Sequence, residues 1–455
     1  DLTYLQHSLP RDYRNQYINR LNQNLKLSAG ISYNWAFRNI SLQPEYNYAY
    51  SYIKTDNPLY RLDKISGRDS SLFDRLPSAT NILATVLDNG NTYHFTEYQN
   101  SHQFNFCYRD LHSKLLKCEI SVNLPVRIAH ANLYYQRMGR HDVSRQSIFF
   151  EPNIWLRGNA WEIKAKMNSE FPDLTTMVNY RDDSNPMNII LGNTQLRNIH
   201  YYDIEGGKTF EGKKHSRLNI NMGYHQTDNA VAYSLVFDKQ TGVSTVQPIS
   251  VNGNYRMDLG IGYTRPLDKK EKLSIDNQAS FNYNHNVDMA MVQGATQSQR
   301  SIVNNWKISN VLKLNYRPDD NYEFTLHGGG TYYLIKSQRE GFSNIHAGDY
   351  NIGMNVQITL PWKLQLTTDL TMFARRGYQL SEMNTTDWIW NAQLSRSFIN
   401  KKLLVKLQGF DILRQLSNTQ YLMNAQGRTE TWNNSIPRYM MLSLSWRFNV
   451  NPKKK

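Results

Sequence analysis

Between Arg438 and Asn449 the side chains change character at every step: Met440, Leu442, Leu444, Trp446 and Phe448 fall at even positions, Ser443, Ser445 and Arg447 at odd ones. Successive side chains of an extended chain point to opposite faces, so this segment has one apolar and one polar face. The alternation recurs in Leu25, Leu27, Ala29, Ile31, Tyr33 and Trp35, in Ile120, Val122, Leu124 and Val126, and in Leu218, Ile220, Met222 and Tyr224. It returns in Leu259, Ile261 and Tyr263, in Leu312, Leu314 and Tyr316, in Met354, Val356, Ile358 and Leu360, and in Leu364, Leu366, Leu370 and Met372. Asn219, Asn221, Lys313, Asn355, Gln357 and Thr367 lie between these and face the other way. A soluble sandwich packs its inner faces together and needs them apolar. A sheet with lipid outside and water inside needs this pattern, so the expected fold class is all-β, a transmembrane antiparallel β-barrel.

Composition agrees. The mean hydropathy of −0.64 would suit a soluble protein, but a barrel needs only every second residue apolar. The sequence has no apolar run of about 18 residues, which excludes a helical membrane protein, and no signal-peptide pattern, so a mature or truncated chain is expected. Tyr (30) outnumbers Phe (17) and Trp (9), as suits rings placed at two membrane interfaces. The net charge of +14 is spread along alternating strands, with one basic run at Lys453–Lys455. That distribution points to lumen residues and to anionic lipid headgroups, and away from nucleic acid. Cys107 alternates with Asn105 and Gln103, Cys118 with Ile120 and Val122, so two free thiols on opposite faces are expected.

Connections come in two lengths. Short turns are expected at Phe37–Asn39, Arg109–His112, Arg157–Asn159, Glu211–Lys214, Leu267–Lys270, Arg317–Asp320, Pro361–Trp362 and Asn400–Lys402. Longer polar connections fall at 55–91, 171–197, 286–299, 375–386 and 414–436. Short periplasmic turns alternating with long external loops give about 17 strands, the first and last both descending toward the periplasm. An odd number cannot close in antiparallel fashion. The reading is therefore one domain over 1–455, the C-terminal portion of a barrel with its last strand at 437–449 and with 1–20 as the tail of an external loop.

Three segments resemble a known family. Asn185-Pro186-Met187-Asn188-Ile189-Ile190-Leu191-Gly192-Asn193-Thr194-Gln195-Leu196-Arg197 is similar to the loop signature of TonB-dependent outer-membrane receptors, departing from it at Thr194 and after Leu196. Gln247-Pro248-Ile249-Ser250-Val251-Asn252-Gly253-Asn254 and Phe410-Asp411-Ile412-Leu413 resemble elements of the same large-barrel family. The chain end, with Met440, Leu442, Leu444, Trp446 and Phe448, resembles the assembly signal read by the barrel-insertion machinery. The resemblance implies the C-terminal barrel portion of a 22-stranded receptor in the outer membrane of a Gram-negative bacterium. About five strands and the plug domain would be absent from these residues. It also implies uptake of a scarce ligand, of the siderophore, peptide or glycan class, energised by a TonB complex acting through the upstream plug. The alternative is a plug-less passive pore or structural barrel.

Catalytic chemistry is not legible, and neither enzyme nor cofactor is expected. Glu205-Gly206-Gly207-Lys208-Thr209 lacks the first glycine of a phosphate loop, Tyr202 standing there, and Gly328–Gly330 reads as strand. The histidines do not recur at metal-site spacing. Asp182-Asp183 has calcium-loop chemistry, with a solvated turn as the plainer reading. Ser70–Leu76 is expected to form a short external helix. Ligand contact falls by chemistry to Arg375, Arg376 and Tyr378 in one loop and Tyr421, Arg428 and Trp432 in another, because Arg and aromatic side chains dominate recognition surfaces. Their other role is as a rim meeting headgroups and lipopolysaccharide phosphates. Basic loops favour an anionic ligand.

Overall fold

The computed structural model describes residues 15–66, 76–77, 80–113, 116–291, 295–339, 342–378, 381–416, 419–424, 427–433 and 436–448. One antiparallel sheet of 20 strand segments dominates it. Three pairs of segments join end to end in unbroken register, at residues 33–34, 124–125 and 151–152, so the wall has 17 strands. Pro44, Pro125 and Pro152 fall at or opposite these breaks, because proline has no N–H for the ladder.

The wall strands are β1 (Leu21–Ser32 with Trp35–Phe37), β2 (Ile40–Asn57), β3 (Tyr93–Asp110), β4 (Glu119–Asn123 with Val126–Gln136) and β5 (Arg140–Phe150 with Asn153–Arg157). Next come β6 (Trp161–Glu170), β7 (Ile199–Glu211), β8 (Arg217–Asp228), β9 (Asn254–Pro266), β10 (Leu273–Ala290) and β11 (Gln299–Asp319). The last are β12 (Tyr322–Ser337), β13 (Ile345–Leu360), β14 (Leu364–Arg376), β15 (Thr386–Phe398), β16 (Leu403–Phe410) and β17 (Tyr439–Trp446). Each pairs with its sequence neighbours, a meander with no crossover.

Turns at one end of the wall are short, from 320–321 up to 111–118, and every expected short turn is among them. The other end carries the long connections, 171–198, 229–253 and 411–438 among them. The alternation is not strict: at the long-loop end 291–298 and 338–344 are no longer than 111–118, and 137–139 is a three-residue turn whose positive φ at Met138 (47°) suits a tight reversal. Of Ser70–Leu76, read as helix, residues 70–75 lie outside the described residues and Leu76 is not helical; the helix seen in that connection is Thr80–Thr85.

Register carries one parity rule around the sheet. The outward set contains the apolar series of the sequence, and Met440, Leu442 and Leu444 are 65–72% exposed, as lipid-facing residues are in the absence of lipid. Cys107 and Cys118 are free thiols; Cys107 takes the inward parity, while Cys118 is buried at the end of the 111–118 turn instead of facing lipid.

Candidate functional site on the inner wall

Inward positions carry amides, hydroxyls and paired charges. Across β6 to β9, Lys166 lies 3.5 Å from Asp203 and Arg256 2.7 Å from Asp258. Between the two carboxylates sits His225, Nδ1 at 2.6 Å from Asp203 and Nε2 at 3.4 Å from Asp258. Two apolar patches interrupt this face near the long-loop end among the described residues: Phe95, Ala131, Leu133, Tyr135 and Val143 on β3 to β5, and Val303, Ile335, Ile345 and Ala347 on β11 to β13.

The patch on β3 to β5 explains why the 171–198 connection folds inward. Asp173 accepts the Thr175 N–H at 2.9 Å and starts a short helical turn, Leu174–Met177. Leu174, Met177, Val178 and Leu196 are at most 1% exposed and pack on the patch, so the loop covers part of the lumen. The signature segment 185–197 holds it down. A Cβ on Gly192 would lie 1.7 Å from the Val178 carbonyl oxygen, so only glycine permits this approach. Asn193 donates from its backbone to Thr176 O (2.9 Å) and from its side chain to Pro248 O (2.8 Å).

Pro248 belongs to the second resembling segment, and the two segments form one unit. Asn188–Leu191 pairs in parallel with Ser244–Val251, which pairs with Ala230–Phe237. Ser250 Oγ accepts the Arg197 N–H at 3.0 Å, and Gly253 takes φ of +106° where the chain turns into β9. In the third segment the Asp411 carboxylate, nearly buried, accepts the N–H groups of Gln415 (3.0 Å) and Leu416 (2.9 Å) and caps the turn into the last long connection.

Arg137, in the unforeseen tight turn, ties three connections together. Its guanidinium, 3% exposed, donates to Gly90 O (2.7 Å), to Asn91 Oδ1 and to Asp182 Oδ1 (3.0 Å), and lies over the Tyr180 ring at 5.1 Å. Burial works to raise the Asp182 carboxyl, but hydrogen bonds from Arg137 and Ser184 outweigh it and hold the pKa below the usual value. Asp182 is thus an ion-pair partner rather than a calcium ligand, and among the described residues no three His, Cys, Asp or Glu side chains form a metal-holding group.

The first predicted contact loop divides. Arg375 faces the lumen 3.6 Å from Asp349, to which the Tyr378 hydroxyl donates at 2.8 Å. Burial and the Asp349 charge both push the Tyr378 phenol well above its ordinary range. Arg375 and Asp349 border a cavity of about 470 Å³ with Asp387, Phe373 and Leu416. Arg376 has the outward parity and spends its guanidinium on the carbonyls of Arg375 and Thr385 and on Thr386 Oγ1, all at 2.7 Å. In the second loop Tyr421 lies on a hairpin strand, Thr419–Asn424, paired with Gly427–Trp432, which carries Arg428 and Trp432; their side chains lie outside the described residues.

Residues 295–446 match the outer membrane protein beta-barrel family. No curated protein matches the sequence. Similar solved structures include the RagAB peptide transporter, at 10% identity and a TM-score of 0.41, covering 87% of this chain and 58% of that one. Others are the FrpB iron transporter from Neisseria meningitidis (9%, 0.37, covering 96% and 82%) and the ferric-catecholate import receptor Fiu from K12 E. coli (8%, 0.33, covering 95% and 80%). The chain therefore spans less than two thirds of the RagAB chain it matches. With its lipid-facing apolar band and the family match, the chain is an outer-membrane β-barrel wall of a Gram-negative cell.

Proposed function

We propose that this chain is the C-terminal wall and loop portion of an outer-membrane transporter that imports a scarce ligand under the drive of a TonB complex. The observation that carries the reading is the inward-folded, interlocked loop unit 171–198 and 229–253. Loops tied to one another and to the inner wall at the mouth make the shaped, pre-organised entrance that a receptor needs. Long loops at one end and short turns at the other put that entrance on the cell exterior. The resemblance of segments 185–197 and 247–254 to receptor signatures supports the same reading, and both prove to be the fastening points of the unit.

In this scheme residues upstream of Asp1 supply a plug, the segment that contacts TonB, and an odd number of further strands. Sequencing the gene upstream of Asp1 tests it. A plug-like domain and about five alternating strands are expected. One further strand preceded only by a signal peptide, with steady conductance of the intact protein in planar bilayers, would establish the passive pore instead.

A further inference from the structure

On the outward face of β11 to β15 a belt of aromatic side chains marks the membrane interface at the long-loop end. Trp388 of β15 pairs with Met372 of β14, which pairs with Ile352 of β13. Tyr350 stands one outward position nearer the long loops on β13, Tyr332 one higher again on β12 and Trp306 one higher on β11. A level ring crossing tilted strands climbs the ladder in this way, and Trp and Tyr collect where the headgroups begin. Four residues beyond Tyr332, Tyr350 and Met372, on the same face, stand Lys336, His346 and Arg376, all exposed. Four residues of tilted strand rise about 10 Å, so the three basic side chains share one level, that of the headgroup phosphates of the outer leaflet.

On the outward face of β2, β3 and β5 the basic groups of the rim are matched by acids. Lys54 lies 3.6 Å and His94 3.0 Å from Asp56, and Arg140 2.7 Å from Asp142. Lys336 and Arg376 have no ion pair among the described residues. Lys336 Nζ lies 5.9 Å from the centre of the Trp306 ring, a contact that leaves its three N–H groups to an outside acceptor. Arg376 is fixed by uncharged acceptors, Arg375 O, Thr385 O and Thr386 Oγ1, so its charge stands uncompensated and its Nε–H and one Nη2 hydrogen remain to be given. His346 Nδ1 lies 3.0 Å from the Tyr332 hydroxyl, which leaves Nε2. Gly348 pairs with both Tyr332 and Arg376 and keeps the space between them open: a Cβ there would meet only the Thr331 carbonyl oxygen, at 3.6 Å.

We infer that this patch binds lipopolysaccharide, the outer-leaflet glycolipid with a phosphate at each end of a disaccharide. One phosphate lies on Arg376 and the other on Lys336, with His346 between them and acyl chains running down over Tyr350, Ile352 and Met372. Two strands and four residues separate Arg376 from Lys336, on the order of 15 Å between Cα atoms. Their charged ends lean apart, Arg376 toward Thr386 on β15 and Lys336 toward Trp306 on β11. A phospholipid with a single phosphate therefore meets one of them, and a bisphosphorylated headgroup meets both. The guanidinium fork suits phosphate oxygens, and the ammonium acts as a point charge. The assignment rests on the place of the wall in the outer membrane and is independent of what the barrel imports.

The test is native mass spectrometry of the full chain, purified free of lipopolysaccharide in detergent and titrated with bisphosphoryl lipid A, monophosphoryl lipid A or phosphatidylglycerol. One bisphosphoryl lipid A is expected to bind, with the monophosphoryl form about tenfold weaker, the loss of one charge-assisted hydrogen bond, and phosphatidylglycerol no tighter than that. Lys336→Gln and Arg376→Gln should each remove the advantage of the second phosphate, and Arg376→Lys should keep part of it. Arg140→Gln, on the acid-matched part of the rim, should change nothing. Lys336 makes no hydrogen bond among the described residues, so Lys336→Gln probes the site without disturbing the wall. Equal binding of the three lipids would overturn the assignment. So would a bisphosphoryl preference that survives both Lys336→Gln and Arg376→Gln, or one that falls as far with Arg140→Gln.

Discussion

At the scale of single residues, Arg137 is the group on which most depends. Breaking a buried pair by removing one partner strands the other charge, so Arg137→Met should cost about 3–5 kcal/mol of loop or global stability, read from denaturant unfolding. The pH dependence has a definite sign. Asp182 has a depressed pKa in the fold, so its contribution is complete above the ordinary carboxylate range near pH 4 and is lost as pH falls through the lower folded value. Hydrogen exchange in 171–198 should accelerate as pH is lowered through that window, over and above its intrinsic pH dependence, and Asp182→Asn should show no such step; equal profiles would remove the clamp from the account. Gly192→Ala should also free this loop, at a cost of about 1–3 kcal/mol or more, because the added methyl meets a backbone carbonyl that cannot swing aside. Gly192 stands in the 185–197 segment singled out by its resemblance, whereas Arg137 was not legible beforehand. Arg137 is one basic residue among 52 Lys and Arg, and its partners at 90, 91, 180 and 182 come from connections whose packing no alternation pattern encodes.

At the scale of elements, the strands were readable because each has its own two-faced chemistry, and the turns because short connections leave one geometry. The β17 face tests that logic. Leu442 stands near the middle of the apolar band and 65% exposed, whereas Ser443 faces inward, so Leu442→Arg should cost about 2–4 kcal/mol in folding into lipid vesicles and Ser443→Arg much less. Similar costs for both would mean that β17 does not face lipid. If the terminal alternation is also the insertion signal, Phe448→Ser should slow assembly into membranes in cells while leaving detergent-refolded stability almost unchanged. What the alternation could not show was the apolar patch turned inward on β3 to β5. Ala131, Leu133 and Tyr135 break the polar rule of the inner face, and the break is the local signal that a loop folds over it. Arg376 misled for a related reason: alternation along β14 puts it on the opposite face from Arg375, so two adjacent arginines cannot serve one lumen site.

For the whole molecule, the two edges of the wall are decisive. With 17 antiparallel strands β1 and β17 run in the same direction, and among the described residues each is hydrogen-bonded along one side. Direct antiparallel closure between them is geometrically barred, and an exposed strand edge in a membrane leaves N–H and C=O groups unsatisfied at several kcal/mol each. The transport reading removes that cost by inserting an odd number of upstream strands between the two edges. Hydrogen exchange then makes a sharp comparison: in the 455-residue chain alone the edge-facing amides of β17 should exchange as freely as those of a loop, while in the protein with its upstream segment they should be protected as well as those of β9 at the sheet centre. Leu27→Cys and Leu442→Cys, on the outward faces of β1 and β17, should fail to crosslink in the longer protein because about five strands at 4.7–4.9 Å spacing separate them. Rapid disulfide formation between them there would mean that the wall closes on itself, and the case for an upstream plug would go with it.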